Sequence, residues 1–93
     1  MTDGGPELES LRREIERVDR EILTSVAERV RLARRIGALK RDGRRGTLDT
    51  EREAAVLRRA AELGREAGLD PEDAREIYWT LIGVCRRAQL AEP

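Results

Sequence analysis

The stretch LRREIERVDREILTSVAERVRLARRIGALK, residues 11–40, decides the fold of this chain. It lies within a run from about Glu7 to Arg41 that contains no proline and one glycine, which predicts a single long helix. Thirty-odd helical residues extend ~50 Å, whereas a compact globule of 93 residues is roughly 30 Å across. A narrow apolar stripe follows the whole helix: Leu8, Leu11, Ile15, Val18, Ile22, Val26, Ala33 and Ile36. We therefore expect a second copy of the chain to cover the projecting part of the stripe, in a homodimer.

Two shorter helices are predicted after it. The segment Asp42–Gly46 ends the first helix, since its glycines alternate with polar residues, and it is either a mobile lid or a solvated loop. A second helix starts near residues 48–50 and extends to about Leu63. Gly64 and Gly68 then permit a stop.

The third helix has the clearest start. Asp70 is placed to cap it, Pro71 suits its first turn, and two acidic residues follow in that turn, where the helix dipole favours negative charge. The helix continues to about Leu90. The sequence thus predicts an all-α protein with three helices of unequal length, comprising a flexible tail (residues 1–6) and a single domain (residues 7–93).

Composition excludes several classes of function. There are 19 basic and 19 acidic residues, so the net charge is zero and the basic footprint of a nucleic-acid-binding protein is missing. The chain has no histidine and one cysteine, Cys85, which excludes an internal disulfide, the usual Cys/His zinc sites and a catalytic triad that needs histidine. No window is long enough to span a membrane, and the start MTDGGPELES does not resemble a secretory signal. We expect a cytoplasmic protein.

Positive charges point into the apolar stripe of the first helix. With Ile22 at zero on a helical wheel, Arg29 lies at about −20° and Lys40 at about 0°. Lys40 is the only lysine in the chain. Arg12, at about 80°, flanks the stripe and could reach a partner helix. A charge at the centre of an apolar stripe costs several kcal/mol unless it is paired. These cations therefore either form buried salt bridges or bind an anionic ligand, and Lys40, near the helix end, could instead extend its ammonium to solvent.

The predicted apolar faces of the other two helices are formed by Val56, Ala60 and Leu63 on the second helix and by Ile77, Leu81, Val84 and Ala88 on the third. Polar residues on or beside these faces join the inward set. At the start of the second helix Asp49, Arg52 and Glu53 lie on or beside the apolar face, and on the third helix Cys85 and Gln89 are one turn apart. The inward cations outnumber the inward acids, although the whole chain is neutral. We infer from this surplus a small anionic ligand, such as a dicarboxylate.

These residues resemble a known family. Residues 11–40 resemble the first helix of the all-helical chorismate mutases, with the pattern LRxxIxxxDxxLLxLLxxRxxLAxxIGxxK, and LDTERE (residues 48–53) resembles their D-x-x-RE motif. The resemblance covers about residues 7–90. The positions that fit in spacing and order are Arg12, Asp19, Arg29, Gly37, Lys40, Asp49, Arg52, Glu53 and Gln89.

The resemblance implies an intertwined homodimer in which each active site is shared between two chains. It implies that Arg29 and the partner chain's Arg12 grip the two carboxylates of chorismate while Arg52 orients the substrate. Lys40 and Gln89 would donate to the ether oxygen, and Glu53, with the backbone at Asp49, would hold the ring hydroxyl. The implied reaction, a pericyclic rearrangement to prephenate in aromatic amino-acid biosynthesis, requires no cofactor, metal or nucleophile.

Some alternatives remain open at this point. Cys85 stands where relatives often carry a serine that contacts a carboxylate, and it is either a weak donor to substrate or a small apolar filler. Isochorismate-pyruvate lyases and 4-amino-4-deoxychorismate mutases share the implied fold and cationic pocket. From another class, the chain could be a helical module that binds, regulates or is activated by a partner enzyme of the shikimate pathway.

Overall fold

The computed structural model describes residues 4–42 and 50–91, apart from the side chain of Asp42. It contains three helices: α1 (Gly5–Asp42), α2 (Thr50–Ala67) and α3 (Pro71–Leu90). The described residues form no strand, which confirms the all-α prediction. Of the helices described, none combines the length and the apolar composition needed to cross a membrane.

Helix α1 gives the molecule its elongated shape. It begins at Gly5, so Gly5 and Pro6 belong to its first turn and not to the predicted tail; proline is tolerated there because its missing N–H would have no helical partner. The chain measures 65 × 29 × 15 Å and its radius of gyration is 17.6 Å, against about 12 Å for a compact chain of this length. Along the projecting part of α1 the stripe is open to solvent, with Leu11 52% and Ile15 59% exposed.

Helix α2 ends four residues later than the sequence suggested, at Ala67. Gly68 has a φ of 84°, and two backbone hydrogen bonds close the end, from Gly68 N–H to Arg65 O (3.1 Å) and from Leu69 N–H to Gly64 O (2.8 Å). This pair of bonds is a Schellman motif, which needs the left-handed residue that glycine supplies. Gly68 is therefore the stop, whereas Gly64 lies inside the helix.

The turn into α3 is tight and well capped. The Asp70 carboxylate accepts hydrogen bonds from the backbone N–H groups of Glu72 (2.7 Å) and Asp73 (3.4 Å), which confirms it as the N-cap. Just before the turn, a Cβ at Gly64 would lie only 2.7 Å from the Cβ of Ala74. Glycine at this position thus lets α2 and α3 pack closely against each other.

The buried faces of α2 and α3 match the predicted faces only in part, since Val56, Ala60 and Ala88 are buried as predicted. Leu63 (48% exposed) and Ile77 (55% exposed) were placed on the apolar faces but lie largely in solvent. The residues that are buried are mostly small: Val56, Ala60, Ala61 and Gly64 on α2, and Ala74, Ile82, Cys85 and Ala88 on α3. Small residues are selected because they permit close helix approach. The apolar face predicted for α3 on a helical wheel therefore lies about 70° from the side of the helix that is buried.

Helix α3 lies between the other two helices and packs against both. Among the described residues, no Cα of α1 comes within 8 Å of a Cα of α2. The gap that remains between α1 and α2 is a cleft, and α3 forms its floor.

Candidate active site

The cleft has a volume of about 450 Å³ and takes its walls from all three helices. Such a volume is in the range of small-molecule sites. The residues that line it are Arg29, Leu32, Ala33, Ile36 and Lys40 from α1, Arg52, Glu53 and Val56 from α2, and Ile82, Cys85, Arg86 and Gln89 from α3. Apolar side chains thus form much of the surface, with the charged and polar groups placed among them.

A close crossing of α1 and α3 fixes one end of the cleft. A Cβ at Gly37 would lie 2.5 Å from the carbonyl oxygen of Gln89 and 2.9 Å from its Cα, so only glycine permits this approach. The Arg41 guanidinium donates to the same carbonyl oxygen (Nη1 to O, 2.7 Å), which satisfies a backbone acceptor in the last turn of α3. Lys40 and Gln89, both half-buried, are brought to this end of the cleft together.

Arg29 is held in place by α3. Its Nη1 donates to Sγ of Cys85 (3.0 Å), and its guanidinium carbon lies 5.7 Å from the centre of the Tyr78 ring. The second contact has the separation of a cation–π pair. Cys85 is buried, and Tyr78 and Arg29 are half-buried. The guanidinium is thus oriented by two side chains of another helix before any ligand arrives, a role for Tyr78 that the sequence did not suggest.

Glu53 makes a two-point ion pair with Arg86. Arg86 donates from Nε to Oε2 (3.0 Å) and from Nη2 to Oε1 (2.5 Å), so both carboxylate oxygens are used. The pKa of Arg86 is raised above its ordinary value, mainly by the hydrogen bond to Glu53 and secondly by the negative charge of Glu53. The guanidinium therefore stays charged throughout the pH range in which proteins are assayed. Arg86 was missed in the sequence because it lies off the apolar face of α3, beside an arginine that is exposed.

Most of the residues predicted from sequence lie in this cleft. Arg29, Lys40, Arg52, Glu53, Cys85 and Gln89 all line it. Asp49 and the glycine-containing linker from residue 43 to 46 lie outside the described residues. Arg12 is exposed on α1 and is not part of the cleft in a single chain; it is 17 residues from Arg29, which along a helix is about 26 Å.

The charge of the cleft is strongly positive. Its described lining carries four cations, Arg29, Lys40, Arg52 and Arg86, and one carboxylate, Glu53. The chain as a whole has no net charge. A cleft with such an excess attracts small anions, and arginine guanidinium groups bind carboxylates through two parallel hydrogen bonds.

Comparison with known proteins identifies the family. Residues 11–90 match the family Chorismate mutase type II, and this chain belongs to it. The chain is 38% identical over 82 residues to the "Bifunctional chorismate mutase/prephenate dehydratase" of Aquifex aeolicus (strain VF5). That similarity covers 85% of this chain and 23% of the relative, so the chain spans about a quarter of the length of that curated relative.

Proposed function

We propose that this protein is a chorismate mutase, which rearranges chorismate to prephenate. The observation that carries the proposal is the cationic cleft between α1 and α2, where four basic side chains from three helices surround a space suited to a small molecule. Chorismate is a dicarboxylate, so its two negative charges complement this excess. Membership of the chorismate mutase type II family supports the same reaction.

In the proposed reaction the ether carbon–oxygen bond of chorismate breaks while a new carbon–carbon bond forms within the same molecule. No proton or electron pair leaves the substrate, so the protein acts by holding the reactive conformer and stabilising the charge that develops. Arg29 would bind one substrate carboxylate, and its contacts with Cys85 and Tyr78 support this role because they limit its motion. Arg52 would help to orient the ring.

Lys40 and Gln89 are proposed to donate hydrogen bonds to the ether oxygen. Both side chains belong to the end of the cleft where Gly37 lets the helices approach. The ether oxygen is one atom, and the compact ammonium of lysine suits it better than a planar guanidinium. A millionfold acceleration would require roughly 8 kcal/mol, which oriented guanidinium groups together with a fixed cation can provide.

We further propose that the working form is an intertwined homodimer with two shared sites. In a single chain most of the apolar stripe of α1 lies in solvent, with Ala33 buried, and the long axis of 65 Å exceeds what one chain can enclose. Arg12 is too far along α1 to enter the cleft of its own chain. A second copy packed along the stripe would cover the apolar surface and bring its Arg12 to the cleft.

The proposed product points to the class of enzyme that follows. The Aquifex relative is named as both a chorismate mutase and a prephenate dehydratase, so in that protein the two activities share one chain. In aromatic amino-acid biosynthesis an enzyme that consumes prephenate would act after this one. We propose that the protein forms a complex with such an enzyme or with another enzyme of the shikimate pathway. Co-purification tests this.

One assay tests the proposed activity. Purified protein is incubated with chorismate, isochorismate or 4-amino-4-deoxychorismate, and the products are identified by mass and absorbance. We expect prephenate from chorismate at a rate far above the uncatalysed one. Release of pyruvate from isochorismate, or turnover of the amino compound alone, would assign the protein to one of the other reactions instead.

A further inference from the structure

We infer that Arg86 sets the substrate specificity of the cleft, by binding Glu53 so that the site accepts dicarboxylates with a neutral ring substituent and rejects those with a cationic one. The inference rests on the proposed function, because it concerns which dicarboxylate the same cleft takes. In terms of known chemistry, it separates chorismate, whose ring carries a hydroxyl, from 4-amino-4-deoxychorismate, whose amine is protonated near neutral pH.

The first argument is the geometry of the ion pair. Each oxygen of the Glu53 carboxylate accepts a hydrogen bond from a different nitrogen of Arg86, at 3.0 and 2.5 Å. Two parallel bonds of this kind fix both side chains, and they are stronger than neutral hydrogen bonds. Both side chains are only partly exposed, so water screens the pair less than it would at an open surface. Glu53 is therefore committed to Arg86 and presents little net negative charge to a ligand.

The second argument is the balance of charge around the ligand. Glu53 is the one carboxylate among the described residues that line the cleft. The remaining cations of that lining, Arg29, Lys40 and Arg52, complement the two carboxylates of a substrate. An ammonium on the ring would add a positive charge to this surplus, and among the described residues that line the cleft no second carboxylate is present to bind it. Like charges brought together in a binding site discriminate strongly between ligands.

Arg86 is well suited to a test because the next residue is a matched control. Arg86 lines the cleft and bonds Glu53, whereas Arg87 is exposed and is not among the residues that line it. Arg86→Gln removes the charge that neutralises Glu53, and Arg87→Gln removes a charge one position away on the same helix. Both variants change the net charge of the protein equally, so a difference between them reports on the cleft.

The experiment measures kcat/KM and calorimetric binding for chorismate and for 4-amino-4-deoxychorismate, with the wild type and both variants. We expect the wild type to prefer chorismate at least tenfold, on the scale of one unfavourable charge contact. In Arg86→Gln that preference should fall about fivefold, because Glu53 becomes free to bind the ammonium. Arg87→Gln should keep the wild-type preference.

A double variant tests whether Arg86 acts through Glu53. In Arg86→Gln/Glu53→Gln the released carboxylate is removed, so the preference for chorismate should return toward the wild-type value. A loss of folding would lower kcat/KM for both substrates by the same factor and leave the ratio of the two values unchanged. If Arg86→Gln fails to fold, Arg86→Met keeps the length and apolar stem of the side chain while removing the same charge, and the same change in ratio is expected.

The outcomes separate this inference from the proposed function. Turnover of chorismate with the same substrate ratio in wild type and Arg86→Gln would overturn the inference and leave the mutase assignment intact. Selective binding of chorismate without turnover, with selectivity lost in Arg86→Gln, would support the inference and overturn the activity. A wild type that prefers the amino compound, or that binds neither compound, would overturn the inference.

Discussion

Gly37 on α1 lies against the backbone of Gln89 on α3, so closely that a Cβ at residue 37 would come within 2.5 Å of the Gln89 carbonyl oxygen. This contact fixes how α1 and α3 cross. Lys40 follows Gly37 by about one helical turn, and the side chain of Gln89 lines the cleft beside it. Because Gly37 has no side chain, α1 and α3 can cross this closely. The crossing sets the positions of Lys40 and Gln89, the two proposed donors to the ether oxygen.

Gly37→Ala should disturb this arrangement. The added methyl group would meet backbone atoms of Gln89, at 2.5 and 2.9 Å, which cannot rotate away as the end of a side chain can. We expect α1 and α3 to separate slightly, with a loss of about 1–3 kcal/mol in the free energy of unfolding, typical of overpacking. The kcat should fall more than this loss of stability explains at a temperature where the protein stays folded.

Gly83→Ala is the matched control for that variant. Gly83 is also in the middle of a helix, but its nearest neighbour would be Nη1 of Arg87 at 3.8 Å, an ordinary contact with a flexible side chain. Alanine is the better helix former, so this change should stabilise the protein by about 0.5–1 kcal/mol. Thermal unfolding of both variants measures the two shifts. Equal behaviour of Gly37→Ala and Gly83→Ala would contradict the close contact.

Lys40 is predicted to act on the transition state and not on substrate binding. Lys40→Ala should lower kcat and kcat/KM together, by at least ~10²-fold, on the scale of losing one oriented donor. Lys40→Arg should remain strongly impaired, because it keeps the charge but offers a broader, planar group. Both variants should fold, because Lys40→Ala removes a half-buried charge and Lys40→Arg keeps it. Steady-state kinetics measure kcat and kcat/KM for both variants. A near-native kcat for Lys40→Ala would exclude Lys40 from catalysis.

Arg12 and Arg29 are predicted to serve the same site from different chains. Arg12→Ala and Arg29→Ala should each remove most of the activity, because each lacks one guanidinium for a substrate carboxylate. When the two variants are unfolded together and refolded, mixed dimers should contain one site with both arginines intact. We expect about a quarter of the wild-type activity if the chains pair at random. No recovery in verified mixed dimers would mean that each site is built within one chain.

The apolar stripe of α1 is predicted to make folding depend on protein concentration. Dimerisation stabilises the folded form by mass action, so the melting temperature should rise with concentration. Ile15→Asp places a charge in the exposed stripe and should weaken the dimer at least tenfold. Ser10→Asp, about 120° away from Ile22 on the helical wheel and outside the stripe, should leave the dimer unchanged. Analytical ultracentrifugation measures both, and a compact folded monomer of the wild type at micromolar concentration would contradict the prediction.

The sequence gives a good account of the helices and of the cations on α1. Arg29 and Lys40 could be placed in the apolar stripe because both lie on one uninterrupted helix, where a rotation of about 100° per residue fixes their relative direction. The cap at Asp70 was likewise predictable, since it involves residues that follow directly in the chain. Membership of the chorismate mutase type II family confirms the resemblance drawn from the motifs at residues 11–40 and 48–53.

The sequence was less reliable on how the helices face one another. The wheel of α3 placed Ile77 in the core, whereas the structure buries Ala74, Ile82 and Cys85 and leaves Ile77 largely exposed. Periodicity identifies an apolar side of a helix but does not say which part of it packs within the chain. For a protein proposed to dimerise, large apolar residues can serve the contact between chains, while small residues permit the close packing inside one chain.

What the sequence by itself determined was local: three helices, their main start and stop signals, and a stripe of apolar residues with cations set into it. The tertiary structure alone decided the contacts between positions far apart in the chain. Arg29 meets Cys85 across 56 positions, and Glu53 meets Arg86 across 33. These pairs depend on the rotation and crossing of whole helices, which are set by where glycine and alanine let backbones approach. Helical periodicity carries no information about that geometry. For this reason the sequence did not identify Arg86 as a residue of the cleft, and only the packing of the helices places it there.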